Sequence, residues 1–257
     1  MKIQFYKYQG TGNDFVIIDN RQDTFPKNDT KLITQICDRK LGVGADGLLL
    51  LENNSEVDFT MVYFNADGNL GTMCGNGGRC IVHFAEFLNI IKKETVFEAV
   101  DGLHKATIND GFISLKMNNV DNVEVSLNQM FLDTGSPHHV QLVSELDDFN
   151  VEKEGAIIRN ETYGKEGANV NFVEEIDKNT FAVRTYERGV EAETLSCGTG
   201  VTAVAIAMFE TNITTSDKIT LKTKGGILKV SFNKTSNGYN DVYLVGPAVQ
   251  VFKGMWQ

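Results

Sequence analysis

Residues 74–85, CGNGGRCIVHFA, and residues 197–208, CGTGVTAVAIAM, share one pattern in which Cys-Gly-x-Gly precedes a run of apolar residues. In both segments, apolar side chains stand seven, eight and eleven positions after the cysteine, which places them on one face of an α-helix. The two cysteines are 197 − 74 = 123 residues apart in a chain of 257. The spacing therefore predicts a duplicated chain with two equivalent helices, each beginning at a cysteine.

Strand-like segments surround both predicted helices in the same order. They alternate apolar and polar residues, or are rich in β-branched and aromatic residues, and Gly, Asn or Asp bounds them. In the first half, the predicted strands are residues 2–8, 15–19, 48–52, 58–64, 96–99, 103–108 and 112–117, with helices at 30–40 and 75–90. In the second half, the predicted strands are residues 168–173, 181–186, 218–223, 228–232 and 241–245, with a helix at 198–210.

This pattern predicts a mixed α/β protein of the α+β class. The apolar stripe of each Cys-Gly-x-Gly helix is so continuous that we expect a curved mixed β-sheet to wrap around it; the alternative is an open two-layer α+β sandwich. A polar break at residues 118–122 divides the chain into two pseudo-symmetric domains, residues 1–118 and 119–257. The last ~10 residues could pack back onto the first domain, because chain termini often lie close together.

Composition and charge limit the possible partners. The chain has 24 Lys and Arg against 34 Asp and Glu, a net charge of 24 − 34 = −10, so we expect neither nucleic acid nor an anionic membrane as a partner. The hydrophobic content of 42% is typical of a folded protein. Neither a signal-peptide core nor a run of roughly 18 apolar residues is present, which predicts a cytoplasmic location. We expect a small-molecule substrate and, from base rates, a possible homodimer.

Two patterns that suggest a cofactor or a metal fail the requirements of those sites. Residues 42–47 spell G-x-G-x-x-G, but a predicted helix precedes them and a strand follows, the reverse of the order in dinucleotide-binding units. Five residues separate Cys74 from Cys80, whereas structural zinc sites prefer about two to four. We therefore expect no metal and no cofactor, and interpret Cys37, Cys80 and His83 as ordinary packed residues.

Cys74 and Cys197 stand where each predicted helix begins. Backbone N–H groups and the helix dipole at such a position lower a thiol pKa from about 8.5 to roughly 3.5–7.5. Either cysteine alone could simply be a small residue in a tight turn. A matched pair fits inversion of a carbon centre, because a base must remove a proton from one face of Cα while an acid delivers one to the other. The glycine-rich helix starts supply N–H groups for the substrate carboxylate.

Three longer stretches carry a resemblance to a known family. They are NADGNLGTMCGNGGRC at residues 65–80, YERGVEAETLSCGTG at 186–200 and GTGNDFVIID at 10–19. These stretches resemble the two active-site signatures and the N-terminal motif of the diaminopimelate epimerases, and the resemblance covers essentially the whole chain. It implies a cofactor-independent isomerase that converts LL-2,6-diaminopimelate to the meso form, in lysine and cell-wall precursor synthesis. It also implies an active site in the cleft between two pseudo-symmetric domains.

The resemblance implies roles for individual residues as well. It assigns the acid and the base to Cys74 and Cys197. His138 and Glu187 would tune the pKa of this cysteine pair, although His138 could also be an ordinary loop histidine. The residues that the resemblance assigns to substrate contacts are Asn13, Asn65, Gly75, Asn76, Asn169, Glu187, Arg188, Gly198 and Thr199.

The chain departs from the family pattern at three places. Gly47 replaces a polar amide, Ser136 replaces an asparagine, and residues 190–193 make the segment before Cys197 one residue longer than the common pattern. The first two departures affect peripheral substrate contacts. We expect the extra residue to be absorbed in a turn, because the Cys-Gly-x-Gly helix start after it is intact.

Two rival hypotheses stay open at this stage. The first is a cofactor-independent racemase of another amino acid on the same fold. Arg188 with Asn65 and Asn169 favours a substrate with a second amino-acid end, since an arginine binds a carboxylate and amide oxygens bind an ammonium group. The second is a small-ligand binding module, or an isomerase that uses a carboxylate, in which both cysteines are merely structural.

Overall fold

The computed structural model describes residues 2–257, which divide into two compact units. Unit 1 comprises the chain up to Leu115 together with Gly246–Gln257, and unit 2 comprises Lys116–Val245. The elements at the start of the chain are β1 (Ile3–Gly10), β2 (Asn13–Asp19), α1 (Thr30–Cys37), β3 (Gly47–Glu52), β4 (Phe59–Asn65), α2 (Gly75–Phe87), β5 (Glu94–Ala99), β6 (Gly102–Asn109) and β7 (Phe112–Lys116).

The elements that follow β7 belong mainly to unit 2. They are β8 (Glu124–Ser126), β9 (Gln129–Asp133), β10 (Pro137–Leu142), a 3-10 turn (Leu146–Asp148), α3 (Val151–Ile157), a π-helical turn (Ile158–Thr162), β11 (Asn169–Asp177), β12 (Thr180–Glu187), β13 (Ala192–Thr194), α4 (Gly198–Glu210), β14 (Lys218–Thr223), β15 (Gly226–Thr235) and β16 (Gly238–Pro247). The last strand, β17 (Val249–Trp256), belongs to unit 1 because it pairs antiparallel with β1.

The two units share one order of strand directions. In unit 1, β1 and β2 are antiparallel, β2 and β3 parallel, β3 and β4 antiparallel, β4 and β5 parallel, and β5 and β6 antiparallel. In unit 2, the same alternation joins β9, β10, β11, β12, β14 and β15. The duplication read from the two cysteine motifs is therefore a duplication of the whole mixed sheet.

The two Cys-Gly-x-Gly helices are the centres of these sheets. α2 and α4 each have 13 residues and begin 198 − 75 = 123 residues apart. α4 contacts β9, β10, β11, β12, β14 and β15, and its residues from Val201 to Met208 are all buried. α2 contacts β1, β2, β3, β4 and β6, and becomes exposed only towards its C-terminal end. This confirms a mixed sheet around a central helix in each half.

A second helix covers the other face of part of each sheet. In unit 1, Val16 of β2 packs in one cluster with Ile33 of α1. In unit 2, Phe172 of β11 packs in one cluster with Val151 of α3. Since successive strand residues point to opposite faces, strands covered on both sides are apolar at every position, as the uninterrupted leucines of β3 show.

The predicted strands and helices are confirmed, with differences of a few residues at their ends. The first helix ends at Cys37 instead of residue 40, because Asp38 is extended and its carboxylate accepts the N–H groups of Lys40 and Leu41. The sequence prediction missed α3, β8, β9, β10, β13 and β17. No helix among residues 2–257 is long and apolar enough to cross a membrane.

Truncation of a side chain in the centre of α4 should strongly destabilise unit 2. Ile206 is completely buried, so Ile206→Ala should lower the free energy of unfolding by about 2–5 kcal/mol through lost burial and the cavity left behind. Ile227→Ala is the matched control, because Ile227 is 52% exposed and should change stability by about 0.5 kcal/mol or less. Urea denaturation of the two variants measures this, and equal losses would contradict the buried-helix assignment.

Candidate functional site

Cys74 is the N-cap residue of α2. Its backbone is extended, with φ −113° and ψ 121°, and its carbonyl oxygen accepts a hydrogen bond from the N–H of Gly78 at 2.7 Å. The first N–H groups of an α-helix have no acceptor within the helix, and they carry the positive end of the helix dipole. The side chain of Cys74 therefore stands beside donors that favour an anion.

Cys197 is the N-cap residue of α4 and has almost the same backbone conformation. Its φ is −116° and its ψ 116°, and its carbonyl oxygen accepts from the N–H of Val201 at 3.0 Å. Its Sγ lies 3.4 Å from the hydroxyl oxygen of Thr199. A Cβ on Gly200 would lie 2.5 Å from Oδ1 of Asn171, so the Gly-x-Gly sequence lets the helix start approach the sheet closely. The two predicted helix starts are equivalent in backbone geometry.

The thiol of Cys74 contacts the side chain of Asn13, which is also bonded to Asn76. The thiol donates to Oδ1 of Asn13 at 3.5 Å, and Nδ2 of Asn76 donates to the same oxygen at 3.3 Å. Nδ2 of Asn13 donates to a carboxylate oxygen of Asp46 at 2.6 Å. Because a carboxylate only accepts, Asp46 fixes the amide of Asn13 with its oxygen towards Cys74. Two predicted contact residues, Asn13 and Asn76, thus lie together at this cysteine.

The carboxylate that fixes Asn13 belongs to a network of ion pairs. Arg39 donates to Asp46 at 2.6 Å and to Asp14 at 2.8 Å. Lys7, which is buried, also forms an ion pair with Asp14. Burial raises the pKa of Asp14, but hydrogen bonds from Arg39 and Lys7 outweigh burial and hold it at about 2. The carboxylates behind Asn13 are therefore held in place by fixed positive charges.

Arg79 is a site residue that the sequence analysis missed. It is fully buried in α2 and donates to Oδ1 of Asn76 at 3.0 Å, to the hydroxyl of Thr11 at 3.1 Å and to the carbonyl oxygen of Gly75 at 3.3 Å. No ion pair between Arg79 and a carboxylate is present in the described part of the chain. Burial lowers the pKa of Arg79. Because a guanidinium is not deprotonated in proteins, Arg79 still adds a positive charge beside the first turn of α2. A charged residue within the apolar face of a predicted helix is the signal that could have identified it.

In unit 2, the structure brings Asn169, Arg188 and Ser136 together. Oδ1 of Asn169 accepts from the backbone N–H of Arg188 at 2.9 Å, and its Nδ2 donates to the hydroxyl of Ser136 at 3.0 Å. The guanidinium of Arg188 donates to the carbonyl oxygen of Glu166 at 2.9 Å and to Ser136 at 3.4 Å. Arg188 makes no ion pair with a described carboxylate, which leaves its charge available for an acidic ligand group.

His138 lies completely buried in β10. Its Nδ1 is 3.1 Å from Nδ2 of Asn171, and its Nε2 has no hydrogen-bond partner among the described residues. Burial lowers the pKa of His138 to about 3, with a further contribution from the charge of Arg188. His138 is therefore a neutral imidazole at physiological pH, and it is a buried strand residue instead of a loop histidine.

The remaining predicted site residues lie at the ends of elements. Asn65 is the exposed last residue of β4, and Glu187 is the last residue of β12, where it pairs with Ala192 of β13. Gly75 begins α2, and Gly198 and Thr199 form the first turn of α4. The carbonyl oxygen of Thr199 accepts from the hydroxyl of Thr134 at 3.0 Å.

The structure accounts for the three departures from the family pattern. A Cβ on Gly47 would lie 2.5 Å from the carbonyl oxygen of Phe64 and from the ring of Tyr63, so no side chain fits there unless the neighbours shift. Ser136 supplies a hydroxyl to both Asn169 and Arg188, as described above. The longer segment forms a turn in which Glu191 adopts φ 58° and its N–H donates to the carbonyl oxygen of Glu187 at 2.8 Å.

The other two cysteines have a different environment. Cys37 and Cys80 are buried, and burial raises the pKa of Cys37 to about 11 and that of Cys80 to about 12. Nδ1 of His83 lies 3.4 Å from the hydroxyl of Tyr8. Across residues 2–257, no three His, Cys, Asp or Glu side chains converge as ligands of one metal ion would.

Comparison with protein families and curated relatives gives one answer. The family model described as "Diaminopimelate epimerase" matches residues 5–123 and 130–251. A diaminopimelate epimerase from Flavobacterium psychrophilum is 57% identical over 253 residues, covering 98% of this chain and 99% of the relative. One from Chlorobaculum tepidum is 42% identical over 256 residues, covering 95% of this chain and 98% of the relative.

Comparison with solved structures supports the fold. A phenazine biosynthesis protein of the PhzF family from Bacillus anthracis superposes with a TM-score of 0.80 at 15% sequence identity. The match covers 100% of this chain and 99% of that one. At this identity the likeness concerns the fold alone.

Cys74 should differ from Cys37 and Cys80 in reactivity towards an alkylating reagent. After reduction, brief treatment of the native protein with iodoacetamide at pH 7 should modify Cys74 ahead of Cys37 and Cys80. Cys74 is partly exposed at a helix N-terminus, whereas the raised pKa values keep the two buried cysteines as unreactive thiols. Peptide mass spectrometry before and after urea denaturation measures the order, and equal native labelling of Cys74 and Cys80 would contradict it.

Proposed function

The chain belongs to the diaminopimelate epimerase family, and we propose that it interconverts LL- and meso-2,6-diaminopimelate by moving a proton at one Cα without a cofactor. The observation that carries this proposal is the pair of equivalent cysteine caps, Cys74 on α2 and Cys197 on α4, in a duplicated sheet. The family names the substrate, and meso-diaminopimelate places the reaction in lysine biosynthesis.

The two cysteines divide the proton transfers between them. Inversion of Cα requires removal of the proton from one face and delivery of a proton to the opposite face. In the forward direction one of Cys74 and Cys197 acts as thiolate base and the other as thiol acid, and the roles exchange in the reverse direction. A helix N-terminus lowers the pKa of a thiol towards neutral pH, so that both the thiolate and the thiol are accessible.

Without a cofactor, the protein itself must stabilise the negative charge that forms when the Cα proton is removed. Its removal places negative charge on the substrate carboxylate and Cα, and fixed donors lower the cost of that charge. The N–H groups at Gly75 and Asn76 of α2 and at Gly198 and Thr199 of α4 are such donors. The buried, charged side chain of Arg79 fixes the start of α2, since it donates to Oδ1 of Asn76 and to the first carbonyl oxygen of that helix.

The remaining site residues would bind the second amino-acid end of the substrate. A carboxylate there would pair with Arg188, whose guanidinium lies against Ser136 and makes no ion pair within the described chain. Side-chain oxygens of Asn65, Asn169 and Glu187 would accept from the ammonium group. His138 and Glu187 would set the pKa values of the cysteine pair.

Deuterium exchange tests the reaction and both cysteines together. With LL-diaminopimelate in deuterated water and no added cofactor, NMR should show inversion with deuterium at Cα for the wild-type protein. Cys74→Ala and Cys197→Ala should each lower inversion by at least about a hundredfold, because each removes one acid–base group. Cys37→Ala is the control and should retain the wild-type rate, since Cys37 is packed in α1.

Each alternative gives a distinct result. Inversion of another amino acid, with none of diaminopimelate, would favour a racemase of different specificity. Inversion of diaminopimelate that survives both cysteine substitutions would contradict the two-thiol mechanism.

Removal of the Arg188 charge should weaken substrate binding more than catalysis. Arg188→Ala should raise KM for diaminopimelate by about tenfold or more, because a charged donor to a carboxylate is lost. Steady-state kinetics beside Arg21→Ala measure the effect, since Arg21 forms only a surface ion pair with Asp19. An unchanged KM for Arg188→Ala would place the distal carboxylate elsewhere.

A further inference from the structure

Asn171 is a fully buried amide near the start of β11. Val173, the next residue on the same face of the strand, packs in the apolar cluster formed around α4. A Cβ built on Gly200 would stand 2.5 Å from Oδ1 of Asn171 and 3.3 Å from Sγ of Cys197. Asn171 therefore lies against the first turn of α4, on the side of the sheet that faces Cys197.

The surrounding hydrogen bonds fix the direction of this amide. The backbone carbonyl oxygen of His139 lies 2.8 Å from Nδ2 of Asn171, and a carbonyl oxygen can only accept, so the facing group is the NH2. The hydroxyl of Thr185 donates to Oδ1 at 3.0 Å. A flipped amide would turn its oxygen towards the carbonyl of His139. This orientation also fixes the direction of the second N–H of the Asn171 amide.

That second N–H points to His138. Nδ1 of His138 lies 3.1 Å from the same Nδ2, so Nδ1 must act as the acceptor. A neutral imidazole carries one proton, and if Nδ1 accepts, the proton is on Nε2. Nε2 has no hydrogen-bond partner among residues 2–257, although buried donors are rarely left without one. The structure thus holds a buried N–H donor ready for an additional acceptor.

We propose that Asn171 is a positioning residue that holds His138 as the Nε2–H tautomer, so that this N–H can donate to an anionic group in the proposed active site. This inference rests on the proposed function, because the thiolate of Cys197 or a substrate carboxylate is the acceptor that the reaction provides. This role requires no contact between Asn171 and the substrate. It acts through the orientation and the proton of His138.

A purely structural role for Asn171 makes a different prediction. In that case the amide only satisfies buried groups, and the proton of His138 could be on either nitrogen. The tautomer therefore separates the two roles. It is measured on the protein without substrate, so its failure is distinguishable from failure of the proposed reaction.

Long-range 1H–15N correlation spectra of protein labelled with 15N-histidine report the tautomer of each histidine. The chain has four histidines, and single His→Gln variants assign their signals. Wild-type His138 should show a protonated Nε2 and an unprotonated Nδ1 between pH 6 and pH 8. A proton on Nδ1 in the wild-type spectrum would overturn the proposal, whatever the behaviour of the variants.

Asn171→Asp changes the chemistry at almost constant shape. A carboxylate accepts where the NH2 donated, so Nδ1 of His138 should become protonated. Thr185→Val is the matched control, because it removes a hydrogen bond to the same amide but leaves the Nδ2 donor, and His138 should keep the proton on Nε2. Nδ1 remaining unprotonated in folded Asn171→Asp would overturn the proposal.

Kinetics with diaminopimelate give a second readout. Asn171→Asp should lower kcat by about tenfold or more while KM changes less, since misplacing the proton of an active-site histidine impairs the chemical step. Thr185→Val should lower kcat less than Asn171→Asp does. Equal losses of kcat in the two variants would indicate a structural role and overturn the proposal.

Discussion

Each unit depends on one constraint: the N–H groups at the buried start of its central helix need acceptors. The first N–H groups of a helix have no acceptor inside it, and a buried N-terminus leaves them as strong donors with a partial positive charge. In this chain α2 and α4 begin with Gly-x-Gly, so the backbone lies close to the sheet, and a cysteine rather than a serine or aspartate precedes each start. Neither cysteine side chain caps its own helix. In the proposed function these donors receive the substrate carboxylate, and the apolar sheets pack around the rest of each helix.

The duplicated units differ in the residues around the two cysteine helix starts. Arg79 in α2 corresponds to Thr202 in α4, since 202 − 79 = 123. Both side chains donate to the first carbonyl oxygen of their helix, at 3.3 Å for Arg79 and 2.9 Å for Thr202. Only one of them is charged. Likewise an amide oxygen accepts from the thiol of Cys74, whereas a hydroxyl lies beside Cys197. In the proposed mechanism the two thiols hold different protonation states, and these differences between the units give them different electrostatic surroundings.

The sequence was sufficient for features that local periodicity determines. The two cysteine helices, their offset and most strands could be predicted because buried stripes and turn residues recur at fixed spacings. β10 was missed because its sequence, Pro-His-His-Val-Gln-Leu, reads as polar, and its two histidines are buried only through partners distant in sequence. β8 was missed because all three of its residues are exposed. Arg79 is visible in the sequence as a charge within an apolar helix face, but its partners could not be predicted, since its acceptors lie on several elements.

Hydrogen bonds with neighbouring side chains fix the orientation of three polar side chains in the candidate site. A buried amide or guanidinium is costly unless each of its atoms has a partner, so such groups persist where their geometry is used. Asn13 has its oxygen directed by Asp46, Asn76 by Arg79, and His138 by Asn171. In each case the outer residue removes the freedom of the inner one to flip. In the proposed reaction, charge that develops on the substrate would meet dipoles that are already oriented, so the protein would need little reorganisation during the proton transfer.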